Sequence, residues 1–288
     1  MRVEPCTFVT EDGLLLHGLA YNAGGATTVV HVHGKCGNFF ENALIGALAK
    51  IYATAGVNTL AFNNRGAMCI VECYRGDHLE YIGGSLELFE ECVLDIGAAI
   101  RYARVELGSH RVLLQGHSHG CEKALHFAQQ TMGELAGLIL LSPADSYALQ
   151  EAYISPLRIP DQVEQLEHNA EDRWMRLLPP DAYGIAAARA RYPIPITPCA
   201  LLTWLKSSAI ELFHTPDANA FPVVTTPAIA YLGGDDPLQM GNRTAVAECI
   251  QARLSTCELI MPSTGDHVLR GVVDVVGKDV ASWMGRAL

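Results

Sequence analysis

Short β-branched or leucine-rich runs alternate with segments of helical period along most of this chain, and that alternation restricts its fold more than any other feature. TTVVHVHG (27–34), VNTLAFNNRG (57–66), RVLLQGH (111–117), LAGLILLSP (135–143), TTPAIAYLGG (225–234) and CELIMPS (257–263) read as strands. Between the first two, ENALIGALAKIYATAG carries helical spacing through Leu44, Leu48 and Ile51, with Gly56 as a C-terminal stop. SLELFEECVLDIGAAIRYARVELG reads as one long helix with Leu88, Cys92, Ile96, Ala99 and Ala103 on one stripe. Glu90, Glu91 and Asp95 are assigned to its solvated face. The opening, CTFVT and LLLHGLAYN joined by EDG, reads as a hairpin. Strands alternating with helices give an α/β architecture, a doubly wound and mostly parallel sheet with helices on both faces.

The pattern changes after Pro143. Ten of the 14 prolines fall between Pro156 and Pro227, whereas 144–222 holds one glycine, Gly184. Core-like strands flank this block, so the expected organisation is a core of 1–143 and 223–288 with a helical cap inserted at 144–222. DQVEQLEHNAEDRWM and PDAYGIAAARARY are its expected helices, and prolines mark their ends. The block also carries Tyr147, Tyr153, Trp174, Tyr183, Tyr192, Trp204, Phe213 and Phe221, which packing of cap on core explains for the most part.

A formal charge of −11 without a Lys/Arg cluster argues against a nucleic-acid partner. Residues 1–20 lack a basic start with an unbroken apolar stretch, and no later window resembles a membrane span, so no membrane partner is expected. The nine cysteines are scattered without a C-x-x-C pair, which suits reduced thiols and a cytoplasmic location. Cys69, Cys73, Asp77 and His78 read as a loose cluster on a mobile surface loop.

LLQGHSHGCEKAL (113–125) raises the chemical question. A serine hydroxyl needs a base to take its proton and donors to hold the oxyanion it creates. Gly116-His117-Ser118-His119-Gly120 has the G-x-S-x-G spacing of a sharp strand-to-helix turn that exposes a nucleophilic Ser118. The helix start makes the backbone N–H of His119 one oxyanion donor. The turn after TTVVHVHG supplies a second, the backbone N–H of Lys35, with Cys36 as runner-up. His267 follows the final strand on a short loop and is the candidate base. The loop after TTPAIAYLGG offers Asp235 or Asp236 as its orienting acid, and Asp145, after LAGLILLSP, is a further candidate. The order Ser, Asp, His suits a parallel sheet whose loops converge at the carboxyl ends of its strands.

These features resemble the α/β-hydrolase superfamily over nearly the whole chain. The family's G-x-x-D-P-L turn matches Gly233, Gly234, Asp235, Asp236, Pro237 and Leu238, which selects Asp236. Where the family often has an aspartate before Arg-Gly, this chain has Asn63-Asn64-Arg65-Gly66, a departure that bears on loop packing. HGKCGNFFEN, FNNRGA, the acidic helix and LSPAD look like a subgroup that includes fungal hydrolases of fusarinine-type siderophore esters. The resemblance implies a serine hydrolase that cleaves a carboxylic ester or related acyl bond of a small molecule, without a cofactor or metal.

Rival readings are fewer in supporting residues. His31/His33 and His117/His119 are His-x-His pairs, yet no further ligand stands at metallohydrolase spacing, and neutral histidines bound by backbone are ordinary near such loops. The phosphate-loop motif G-x-x-x-x-G-K-[ST] is absent. Cys121 reads as a packed thiol inside the helix. The same triad can serve an acyltransferase, a cyclase or a lyase, and substrate identity and oligomeric state leave no mark in the sequence.

Overall fold

The computed structural model describes residues 1–40, 43–131, 133–151, 158–168, 174–177, 194–217 and 221–287. Its strands are β1 (Arg2–Val9), β2 (Leu15–Asn22), β3 (Thr27–Val32), β4 (Val57–Phe62), β5 (Val71–Arg75), β6 (His78–Ile82), β7 (Arg111–His117), β8 (Gly137–Leu141), β9 (Met175–Leu177), β10 (Ile194–Ile196), β11 (Ala228–Tyr231) and β12 (Cys257–Ile260). The helices are α1 (Ala43–Thr54), α2 (Cys92–Val105), α3 (His119–Gln130), α4 (Ser146–Leu149), α5 (Ile159–His168), α6 (Pro198–Lys206), α7 (Arg243–Arg253) and α8 (Val273–Ala287).

Eight strands form one sheet in the order β1-β2-β4-β3-β7-β8-β11-β12. The β1–β2 hairpin is antiparallel and joins β4 antiparallel, while every pairing from β4 to β12 is parallel. Parallel strands need both faces covered. β3, β4, β8 and β11 are accordingly buried at every residue. Neighbours in sequence point to opposite layers. Val29, Leu113, Ile139 and Ile229 pack with Leu48 of α1 and Val280 and Trp283 of α8. Val30, Leu114, Leu138 and Ala228 pack with Ile96 of α2, Leu125 of α3 and Ile250 of α7. This is the doubly wound sheet expected from the alternation.

The chain passes from β3 outward to β4 and then returns to place β7 on the other side of β3. The loops after β3 and β7 therefore part in opposite directions, which opens a crevice at the carboxyl ends of these two strands.

Three expectations change. Residues 85–88 stay outside the helix, whose start is a 3-10 turn at Phe89–Glu91 followed by α2. Asp95 lies in the core, not on a solvated face: it is fully buried and binds Arg65. The Arg65 backbone N–H donates to Asp95 Oδ2 at 2.7 Å, and its Nη2 and Nε reach Asp95 Oδ1 at 2.9 and 3.0 Å. A helical pattern cannot register this, because the partner comes from the loop after β4. The 69–78 stretch is the third change. It contains β5 and the turn of an antiparallel hairpin that β6 completes to Ile82, and Cys73 is buried in it, donating its thiol to the Leu15 carbonyl. The expected helix at PDAYGIAAARARY lies outside the described residues.

Between β8 and β11, Ile196 and Ala200, Leu201, Trp204 and Leu205 of α6 join the core layer of α2 and α3. Among the described residues no helix is long and apolar enough to cross a membrane, and all nine cysteines are unbridged.

The Arg65 guanidinium also contacts Glu91 and reaches Asp12 in the β1–β2 turn at 3.2 Å, so one buried cation ties the hairpin, the loop after β4 and α2 together. Removing one partner of such a pair leaves an uncompensated buried charge. Asp95→Ala is expected to lower the unfolding free energy by about 3–5 kcal/mol, measured by urea denaturation.

Candidate active site

Ser118 stands between β7 and α3 with φ 56° and ψ −130°, a backbone conformation that costs about 1–3 kcal/mol for a non-glycine residue. Hydrogen bonds hold it there: Ser118 N–H donates to the Leu141 carbonyl at 3.0 Å, and Cys121 N–H donates to the Ser118 carbonyl at 2.8 Å. The turn also requires chain segments to cross without side chains. A Cβ on Gly116 would lie 2.3 Å from the Gly120 carbonyl oxygen, and one on Gly120 would lie 2.2 Å from that of Val32. The flanking glycines thus let α3 start directly over β7 and β3.

Gly34, at the end of β3, is pressed against this turn, since a Cβ there would lie 2.9 Å from Ser118 Cβ and 3.3 Å from its Oγ. Lys35 and Cys36 follow in a tight turn closed by Gly37 N–H to the Gly34 carbonyl at 3.0 Å, with Cys36 at φ 53°. The backbones of Lys35 and His119, the two anticipated oxyanion donors, therefore flank the segments that meet at Ser118.

His267 is fully buried, and its Nδ1 lies 2.9 and 3.1 Å from the two carboxylate oxygens of Asp236. Asp236 also caps the 3-10 turn at 237–239 by accepting from Leu238 N–H at 2.9 Å, which fixes the carboxylate. The His267 loop is tied to the serine turn itself, because His117 Nε2–H donates to the His267 carbonyl at 2.7 Å. Asp145 faces elsewhere: it caps α4 through Ala148 N–H and accepts from His214 Nδ1 at 3.0 Å. Asp235 is exposed, with its backbone N–H bonded to the Gly265 carbonyl.

The paired histidines have other protein partners. His31 Nδ1 takes the Gln115 amide at 2.9 Å, His33 bridges the Gly34 carbonyl and Asn64 N–H, and His117 holds His267. Burial drives the His33 and His117 pKa values down to about 4, so both rings are neutral. Among the described residues no group of three or more His, Cys, Asp or Glu could hold a metal ion. Cys121 is buried and donates its thiol to the Leu141 carbonyl.

A cluster around Glu122 escaped the sequence reading. Glu122, one turn into α3, bonds to His119 Nδ1 at 2.6 Å and accepts from Trp204 Nε1 at 3.4 Å and from the Ser146 hydroxyl. Burial pushes its pKa up to about 8, against the pull of the Ser146 and Trp204 hydrogen bonds. The i,i+3 spacing of His119 and Glu122 was the only signal available for it. Below it, Lys123 is buried in an ion pair with Glu87 and donates to Asn64 Oδ1 at 3.2 Å.

No family model and no curated protein matches this chain. Solved structures do. A carboxyl esterase from Bacillus coagulans is similar at TM-score 0.69 and 15% identity, covering 100% of this chain and 99% of its own. The α/β hydrolase GrgF from Penicillium sp. sh18 gives 0.69 and 15% over 100% and 99% of the two chains. Est1E from Butyrivibrio proteoclasticus, solved with ferulic acid, gives 0.68 and 16% over 98% and 99%. At that identity the likeness establishes the fold, and the chain has the α/β-hydrolase fold.

The low pKa of His117 has a consequence for stability. The unfolded ring takes up a proton below about 6.5 and the folded ring only below about 4, so unfolding binds a proton between those values. The contribution is complete above about 6.5 and is lost as pH falls toward 4. Relative to His117→Gln, the wild type should lose on the order of 3 kcal/mol across that window, read from urea midpoints at a series of pH values.

Proposed function

We propose that the chain is a serine hydrolase that opens a carboxylic ester or related acyl bond through Ser118, His267 and Asp236. The observation that carries this reading is the buried Asp236–His267 hydrogen bond, in a loop fastened to the strained turn that presents Ser118. In the proposed reaction His267 takes the Ser118 proton through Nε2 as the hydroxyl attacks the carbonyl carbon. Asp236 holds the proton on Nδ1 and stabilises the imidazolium. The backbone N–H groups of Lys35 and His119 receive the tetrahedral oxyanion, His267 returns its proton to the leaving alcohol, and water activated by the same ring releases the acid.

Residues 144–222 act as a cap over this centre in the same reading. Trp204 supports that role, since its ring meets His119 edge-on with centroids 5.3 Å apart. The subgroup of fungal siderophore ester hydrolases is carried forward as one substrate direction, on the HGKCGNFFEN and FNNRGA segments. A cytoplasmic, cofactor-free enzyme acting on a small acyl substrate completes the proposal.

Ser118→Ala should lower ester turnover by about 10⁴–10⁶ and abolish labelling by a fluorophosphonate. Asp236→Asn should cost about 10⁴ in turnover, because the imidazole then takes the wrong tautomer. Near-normal turnover in the Ser118→Ala protein overturns the assignment. Product analysis with a competing alcohol or amine separates hydrolysis from acyl transfer, and turnover without serine labelling would indicate a lyase.

A further inference from the structure

The Lys35 side chain has no role in the chemistry above, which uses its backbone alone. Its Nζ lies over the Trp204 ring, 5.6 Å from the centroid, and the residue retains partial exposure. Among the described residues Lys35 makes no ion pair. Two carboxylates are near enough to act on it, and both are engaged elsewhere. Glu87 is paired with Lys123, and Glu122 is held by His119, Ser146 and Trp204. An ammonium has three donors, and an indole face attracts it without accepting a conventional hydrogen bond.

Position makes this cation relevant to substrate. Gly34, its chain neighbour, touches Ser118, and the Trp204 ring beneath the ammonium touches His119, which follows Ser118. The cation thus sits beside residues that flank the proposed nucleophile on both sides of the turn. The other ionisable groups do not neutralise it. Lys123 and Glu87 cancel, while His33 and His119 are held neutral by burial, and burial likewise favours the uncharged form of Glu122. Burial lowers the Lys35 pKa too, and the Glu87 charge only partly opposes this, so an arriving anion would stabilise the ammonium.

We propose that the Lys35 side chain is a specificity residue whose ammonium receives a carboxylate carried by the substrate close to its scissile ester. The inference deepens the serine-hydrolase reading and rests on it. The substrate class is then the half-esters of dicarboxylic acids and related acid-bearing esters. A neutral ester of the same length leaves the cation with the Trp204 face alone.

The test compares monomethyl succinate and monomethyl glutarate with methyl butyrate and methyl valerate in a pH-stat. The wild type is expected to favour the anionic esters in kcat/KM by about tenfold or more, the scale of a hydrogen bond to a charged group. Lys35→Met should remove that preference and Lys35→Arg should retain most of it. Calorimetric titration with monomethyl glutarate reads the contact without turnover: the Ser118→Ala protein should bind it, and Ser118→Ala with Lys35→Met should bind about tenfold more weakly. A wild type with no preference for the anionic esters overturns the inference, as does a Lys35→Met protein with the wild-type ratio. The wild-type ratio and the Lys35→Arg ratio decide the matter even if Lys35→Met fails to fold. Failure of the underlying reading looks different: no ester is turned over and no serine is labelled.

Discussion

The close crossing of α3 over the ends of β7 and β3 is the constraint on which the rest of the site depends. Gly116 and Gly120 meet backbone to backbone there, and any side chain at either position would occupy space already filled by carbonyl groups. The crossing forces the chain to reverse within a few residues, and the residue at the apex, Ser118, takes a φ of 56°. Hydrogen bonds to Leu141 and from Cys121 supply part of what offsets that strain, and the buried strands beneath supply the remainder through packing.

Several buried polar groups around this crossing are paired in layers. His33 and His117 are neutral rings spent on fastening the turn after β3 and the His267 loop, and His31 binds the Gln115 amide of the neighbouring strand β7. Arg65 and Lys123 are buried cations with carboxylate partners from other elements, and they lock the loop after β4 against α2 and α3. Lys35 differs from both, because the neighbouring carboxylates are already committed and its own contact is the Trp204 ring. A site whose interior charges are paired except at its rim is suited to recognising charge in what arrives. The proposed preference for acid-bearing esters follows from that difference.

Much of the architecture was legible from one-dimensional pattern. The β7 run RVLLQGH matches its strand residue for residue, and the other parallel strands fall within the stretches read for them, whereas β1 starts at Arg2, ahead of CTFVT; β-branched runs bounded by glycine and proline are a local signal. Asp236 is separable from Asp235 in the sequence only through a resemblance; in the structure Asp236 caps a 3-10 turn and meets His267, while Asp235 faces solvent. The β5–β6 hairpin was not legible. Its residues Val71–Ile82 are charged and aromatic on the outward side, and the pairing that makes them strands is with each other and with Leu14, across an interval the pattern does not show.

Sequence by itself determined the doubly wound class, the glycine-flanked serine turn and the set of residues from which a base and an acid could be drawn. Each of these depends on side-chain size or period within a few positions, which a linear chain displays. Tertiary structure alone decided that Asp95 is a buried counterion for Arg65, that Asp145 serves His214, and that Glu122 joins His119 to Trp204 across 82 residues. Those outcomes turn on which polar groups meet in a region from which water is excluded. Pairing there is selected by distance in space and by the cost of leaving a charge unmet, and neither quantity is written in the order of the residues.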